Sequence, residues 1–353
     1  MNVLRISITV ALVVAFAGCT KGDPSLKIHV VDGAPLLAIT SMYHSQPEIA
    51  YDGKSRVVEY QIAAGSTQIE AAIDAQRPDF AIAPINFAAQ NFNTTGNYIL
   101  GGVVIWGMFY VVENVSHPDA SGSITPIAGL AGETIYAYGL NMAPNLVLEM
   151  VLAEHGLTVN RLEPGSTILE DAVNIRYLET VVQVRDAIMG QIAGLDARFG
   201  LLSEPLATAL VSQPPNPQNN HADFRRTIDL SLEWSNFFGA SYPQAAIMVR
   251  ASLAQSNPAL VAAVIDMIAE STDFARHNPD EVARIAVDEL NSAALPGRPV
   301  VANFIRGTGQ SVFVFQNAIE SRDAVVHYLG VLYDSNPSSV GGVRTPPQGF
   351  FFH

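Results

Sequence analysis

"VVDGAPLLAITSMY", residues 30–43, is the stretch that decides the fold. The apolar, β-branched run that starts at Leu26 stops at Asp32, and Gly33, Ala34 and Pro35 follow at once. β-Branched residues suit a pleated strand, and proline suits the first turn of a helix. Leu26 to Asp32 therefore reads as a strand and Pro35 to Tyr43 as a helix, with only small residues between them. In α/β proteins such a junction lies at the carboxyl edge of a parallel sheet, where ligands bind.

The same rhythm continues outward. Ser55 to Gly65 alternates as a strand, and "STQIEAAIDAQ" places Ile69, Ala72 and Ile73 at helical spacing behind a capping Ser66. "PDFAIAP" reads as a short buried strand and "INFAAQNF" as the start of a helix. This β-α-β-α-β order predicts a parallel sheet with helices on its faces. Tyr98 to Glu113 is apolar and broken by glycine, so it reads as two strands or one bent strand. After a Ser/Gly/Pro-rich loop the rhythm restarts with "ETIYAYG", the helix "NMAPNLVLEMVLAEHG", "AVNIRYL", "TVVQVRDAIMG", "LDARFGLLSEP" and "PLATALV". Ser212 to Phe224 reads as loop. "PQAAIMVR" is a further strand. The remaining chain is helix-rich, with helices expected after Asn257, over "PDEVARIAVDEL" and over "SRDAVVHYLGVLYD". Two α/β lobes joined by crossovers account for this order.

Composition limits the function classes. The 353 residues are 49% hydrophobic and 15% charged, and the formal charge is −14. Only Lys21, Lys27 and Lys54 are lysines, and with no basic stripe nucleic acid is not an expected partner. At the N-terminus one positive charge precedes an apolar run, Ile6 to Ala17, which has the shape of a signal-peptide core and is too short to span a bilayer comfortably. The run ends in Phe16-Ala17-Gly18-Cys19, which resembles the bacterial lipobox. Cys19 is also the single cysteine, so no disulfide can form within the chain. Residues 1–18 are expected to be a signal peptide, 19–26 a tether, and Cys19 the point of lipidation, holding a soluble domain outside the cytoplasmic membrane. No G-x-S-x-G elbow, P-loop or H-E-x-x-H motif is present, and the histidines show no metal-ligand spacing. Neither an enzyme nor a cofactor or metal site is expected.

The lipoprotein start, the Gly-Ala-Pro turn after strand one, "DFAIAPINFAA", "LLSEPLATAL", "YPQAAIMV" and the C-terminal "VGGVRTPPQGFFF" occur in an order that resembles the substrate-binding proteins of bacterial ABC importers. The branch it resembles handles nitrate, sulfonates, taurine and thiamine-pyrimidine precursors. Thr345-Pro346-Pro347 departs from the more charged form of the C-terminal motif. The resemblance implies a type II periplasmic-binding-protein fold. Each lobe would be a mainly parallel sheet flanked by helices, with the ligand cleft between the lobes. Lobe one would comprise 27–111 and 245–353, and lobe two 112–244. It also implies a monomer, a small polar organic solute, and a permease and ATPase as partners. Two rivals share the fold. One is a sensor or scaffold lipoprotein. The other is an enzyme resembling thiamine-pyrimidine synthase, which uses pyridoxal phosphate with a histidine and a lysine, and here no lysine ends a predicted strand.

Candidate ligand-binding residues follow from the strand ends. Asp32, Gly33 and Ala34 let the backbone approach a ligand, and the helix start after them favours anions or polar acceptors. Ser66 and Thr67 hold the next junction and Asn86 the third, offering hydroxyl and amide groups. Trp106, in the crossover, could stack on a flat or apolar ligand. Asn141 and Asn145 would face them from lobe two. Glu204 ends a strand as a carboxylate, Tyr242 sits near the return crossover, and Arg306 could neutralise an anion. Each also has a plain structural reading as cap, core or surface charge.

Overall fold

The computed structural model describes residues 25–45, 48–51, 53–120, 126–163, 165–195, 197–212 and 223–353. The expected signal peptide, most of the tether and Cys19 lie outside the described residues. The chain begins with β1 (Leu26–Val31), β2 (Glu48–Tyr51), β3 (Lys54–Ala63), β4 (Phe80–Pro84) and β5 (Tyr98–Trp106). It continues through β6 (Phe109–Asn114), β7 (Thr134–Tyr138), β8 (Thr158–Leu162), β9 (Ala172–Leu178), β10 (Phe199–Ser203) and β11 (Phe224–Asp229). It closes with β12 (Pro243–Arg250) and β13 (Gln316–Asn317). Two sheets result, ordered β13-β5-β12-β4-β1-β3-β2 and β11-β6-β10-β7-β9-β8. The chain passes from the first to the second between Trp106 and Phe109 and returns ahead of Pro243.

The α/β class with two helix-flanked sheets is as expected, while the crossing to the second sheet comes before Phe109, not after residue 111, and the return before Pro243, not after residue 244. The sheets are mixed in detail. In the first, β1 pairs parallel with β3 and β4, while β12 runs antiparallel to both β4 and β5. In the second, β7, β8, β9 and β10 pair parallel and β6 antiparallel. The cause is connectivity, because β6 and β12 enter their sheets from the other lobe and not through a helical crossover of their own.

Local sequence explains the elements that frame the cleft. Leu26, Ile28 and Val30 are fully buried on one face of β1, in a core shared with Leu36 and Ile39 of α1 (Ala34–Ser45). Gly33 has φ +104, a region that L side chains avoid, and its carbonyl accepts from the N–H groups of Leu36 and Leu37 to open α1. α2 (Ser66–Asp74) and α3 (Ile85–Thr95) follow β3 and β4, and α4 (Ala143–Glu154) follows β7. α5 (Val181–Ile188) starts in a reciprocal capping box between Thr180 and Gln183. α6 (Leu206–Val211) follows β10, and α7 (Leu230–Phe238) follows β11. α8 (Ala251–Ser256) and α9 (Pro258–His277) come next, and the Asn257 side chain accepts from Leu260 N–H at the start of α9. The tail holds α10 (Pro279–Arg284), α11 (Arg298–Arg306), α12 (Gly309–Val312) and α13 (Arg322–Ser335). Among the described residues no helix is long and apolar enough to cross a membrane.

The two crossovers are tied together. Gly107 and Met108 both have positive φ, +61 and +109, which turns the chain out of the first sheet. Gly107 N–H donates to Tyr242 O at 2.9 Å, and Phe109 N–H donates to the Tyr242 hydroxyl at 3.2 Å. Phe109 stacks on Tyr242 at 5.8 Å, and Trp234 meets the same ring edge-on at 5.5 Å. One buried cluster therefore runs through both lobes at this point.

Candidate functional site

The carboxyl ends of strands from both sheets face one another across a cavity of about 570 Å³. Its first wall is built from Val31 to Pro35, Pro84, Ile105, Met108 and Gln244. Its second is built from Val181, Val182, Arg185 and Ser203 to Leu206, with the loop Ala293 to Pro296 closing one side. The walls are mostly aliphatic, and the polar groups are few.

Two carboxylates line the cavity, and both are engaged by the protein. Asp32 accepts from the N–H groups of Gly33, Ala293 and Ala294 at 2.8, 3.0 and 3.1 Å, and from the Ser292 hydroxyl. Its work is to hold the 292–294 segment against the first strand-to-helix turn. Glu204 is 2% exposed. It accepts from Arg226 Nη2 at 2.6 Å, from Thr208 N–H at 3.0 Å and from the Thr308 hydroxyl at 2.8 Å. Arg226 also lies over the Tyr110 ring at 5.1 Å. Thr308 lies between α11 and α12 of the first lobe and Glu204 belongs to the second, so this hydrogen bond crosses the cleft.

Arg185 is the one cation among the described residues lining the cavity. Its Nε and Nη2 donate to Asp186 Oδ1 at 2.8 and 2.6 Å, and its side chain is one-third exposed. Nη1 has no partner among the described residues. The N-termini of α1 and α5 also face the cavity, and helix N-termini carry partial positive charge and unpaired N–H groups. Ser203 reaches the hydroxyl of Tyr138, whose pKa is pushed up to about 12 by burial, with the Ser203 hydrogen bond opposing the rise. Burial also raises Asp229 at the start of α7, against the hydrogen bonds it accepts from Ser231 and Leu232. No metal-ligating cluster is found among the described residues, and Lys27 does not line the cavity.

Of the candidate residues, the cavity brings together Asp32, Gly33, Ala34 and Glu204. The structure places the others elsewhere. Ser66 is the first residue of α2, whose N-cap is Gly65 with no side-chain cap, so the expected Ser66 cap is not formed. Thr67 is exposed beside it, and Asn86 is half-buried in the first turn of α3. Trp106 is 5% exposed and donates its indole N–H to Val314 O at 2.8 Å. Asn145 is fully buried and bonds Asn141 N–H and the Tyr177 hydroxyl, which fixes the turn before α4. Tyr242 is fully buried between the crossovers. Arg306 is paired with Asp280 on the outer surface. Arg185 and Thr308 were not found by sequence reasoning. Arg185 is one cation in an amphipathic helix, and only its place in the first turns after β9 could have flagged it.

No family model matches the chain, and no curated protein matches it. Solved structures do. An ABC transporter protein from Parabacteroides distasonis superposes with a TM-score of 0.69 at 20% identity, covering 93% of this chain and 99% of that one. The periplasmic aliphatic sulphonate binding protein SsuA from Escherichia coli gives 0.68 at 13% identity, covering 93% and 97%. The alkanesulfonate-binding protein SsuA from Xanthomonas axonopodis pv. citri, bound to MOPS, gives 0.60 at 13%, covering 92% and 96%. The chain has the fold of these ABC-transporter binding proteins.

Proposed function

We propose that the protein is an extracytoplasmic solute-binding protein that delivers a small organic anion, of the sulfonate class, to an ABC importer. The cavity carries this reading. It lies between two lobes, its walls are mostly aliphatic, and Arg185 is its one lining cation among the described residues. A sulfonate would sit between Arg185 and the N-terminus of α1, where charge-assisted hydrogen bonds are strongest. An alkyl portion would lie on Val31, Met108 and Val182. Taurine and a protonated pyrimidine are less well served, because each needs a free acceptor and both lining carboxylates are already engaged. The fold shared with sulfonate-binding proteins supports the same class. Ligand would act by favouring the closed lobes, which the permease then reads. Lipid anchoring through Cys19 belongs to this reading.

A thermal-shift screen tests it, with alkanesulfonates, taurine, nitrate, amino acids and thiamine precursors as probes. A ligand that binds only the folded state raises the melting temperature by mass action. A rise with alkanesulfonates and not with amino acids is expected. A rise confined to thiamine precursors or nitrate would overturn the choice of solute.

A further inference from the structure

A depression on the first lobe, outside the cleft, lies at the other end of β1. It has a volume of about 810 Å³ and opens beside the C-terminal end of α2. Lys27, His29, Arg77 and Arg250 line it, with Arg56 as a further cation and Asp79 and Glu59 as its acids.

The charge there departs from the rest of the molecule. In a chain of net charge −14, the arginines elsewhere are mostly paired with carboxylates, as at Arg161, Arg198, Arg284 and Arg344. Arg176 and Arg322 lie over aromatic rings. Lys27 and Arg77 have neither kind of partner among the described residues, and both are exposed on this depression. Arg250 is held by Asp79 at 2.9 Å, and the other Asp79 oxygen accepts Lys27 N–H, so the Asp79 charge is already offset. His29 is two residues along the same face of β1 from Lys27, beside Gln61 of β3. It is 5% exposed. Its pKa is lowered by burial first, then by the charges of Lys27 and Arg77, with Asp79 acting the other way. The His29 imidazole therefore lies beside two exposed cations, Lys27 and Arg77, that have no carboxylate partner among the described residues.

We propose that this depression is a second ligand site, which takes a phosphate-class oxyanion on Lys27, Arg77 and the ring N–H of His29. Two sources supply that chemistry, inorganic phosphate and the headgroup of an anionic phospholipid. Ser25 lies on the rim, only 25 − 19 = 6 residues after Cys19. Six extended residues reach at most about 20 Å, so a membrane holding Cys19 would lie within range of the site. The inference does not depend on which solute the cleft takes.

The test is a phosphate titration of the full-length protein in detergent, followed by calorimetry and by the imidazole resonances of His29. The same titration is made on the Lys27→Gln/Arg77→Gln double variant, whose changes lie on the surface. Phosphate is expected to shift the His29 resonances in the wild type, with affinity about tenfold or more weaker in the variant. Flotation with phosphatidylcholine vesicles, alone or mixed with phosphatidylglycerol, separates the sources. The anchor contributes equally to both proteins, so the readout is their difference. A phosphatidylglycerol preference about 30-fold greater in the wild type, roughly fivefold per basic side chain, assigns the lipid headgroup. Phosphate binding with equal vesicle partition assigns free phosphate. No phosphate-induced shift at His29, together with equal partition of the two proteins, overturns the proposal.

Discussion

Replacing Thr308 by valine should loosen the closed lobes. The side chains are nearly the same shape, so the change removes one hydroxyl and little packing. That hydroxyl donates to Glu204 Oε1 at 2.8 Å and is also hydrogen-bonded with Tyr110, both from the second lobe. A bond of this length is lost once the lobes part by about an ångström. Hydrogen bonds to charged groups contribute about 1.5–3 kcal/mol. Thr308 is half-buried, and Glu204 keeps Arg226 and Thr208 N–H, so the lower end applies. About 1.5 kcal/mol corresponds to roughly a tenfold rise in the open-to-closed ratio. Spin labels on Gln191→Cys and Asn303→Cys, in a Cys19→Ser background, would report the interlobe distance, since both sites are exposed and belong to opposite lobes. The longer distance should gain population about tenfold in Thr308→Val. An unchanged distribution would refute the view that the Glu204 contact holds the lobes together.

Two further effects follow from the same geometry. Asp32→Ala removes the acceptor for Ser292, Ala293 and Ala294, and urea unfolding should show a loss of about 1.5–3 kcal/mol, with faster proteolysis near residue 293. The pH dependence is set in part by His29 and His327, both lowered below 6.5 by burial. A lowered histidine pKa means that the unfolded chain binds the extra proton first. Stability from these groups is complete above 6.5 and is lost as pH falls through their folded values. Urea midpoints in phosphate-free buffer should drop between about pH 7.5 and about pH 5, and His29→Gln should flatten part of that slope.

Much of the architecture was legible because its signals are local. The Gly33 turn, the buried run of β1, the Asn257 start of α9 and the apolar spacing of α4 each depend on neighbours in sequence. What was missed depends on distant partners. β2 and β8 are short edge strands with little inward-facing apolar surface. β11, "FRRTID", is polar because Arg225 and Arg226 reach Glu113 and Glu204 from other strands. The antiparallel entries of β6 and β12 come from interlobe connectivity, which no local pattern records. The same limit applied to the site. Strand ends were found from their Gly and Pro punctuation, so Asp32 to Ala34 and Glu204 were named. Their internal bonding was not visible, because Ser292 and Thr308 lie about a hundred residues or more away in sequence. Trp106, Asn145 and Tyr242 were named by chemical type, and in the structure their polar atoms are bonded within the protein.

The central claim is that the cleft captures an organic anion on Arg185. Calorimetric titration of the wild type and of Arg185→Gln with an alkanesulfonate, and with the alcohol of the same chain length, tests it most directly. The account predicts that the sulfonate binds the wild type, that the variant binds it about 10–100-fold more weakly, and that the alcohol fails to bind either. Equal sulfonate affinity in the two proteins, or no sulfonate binding by the wild type, would contradict it.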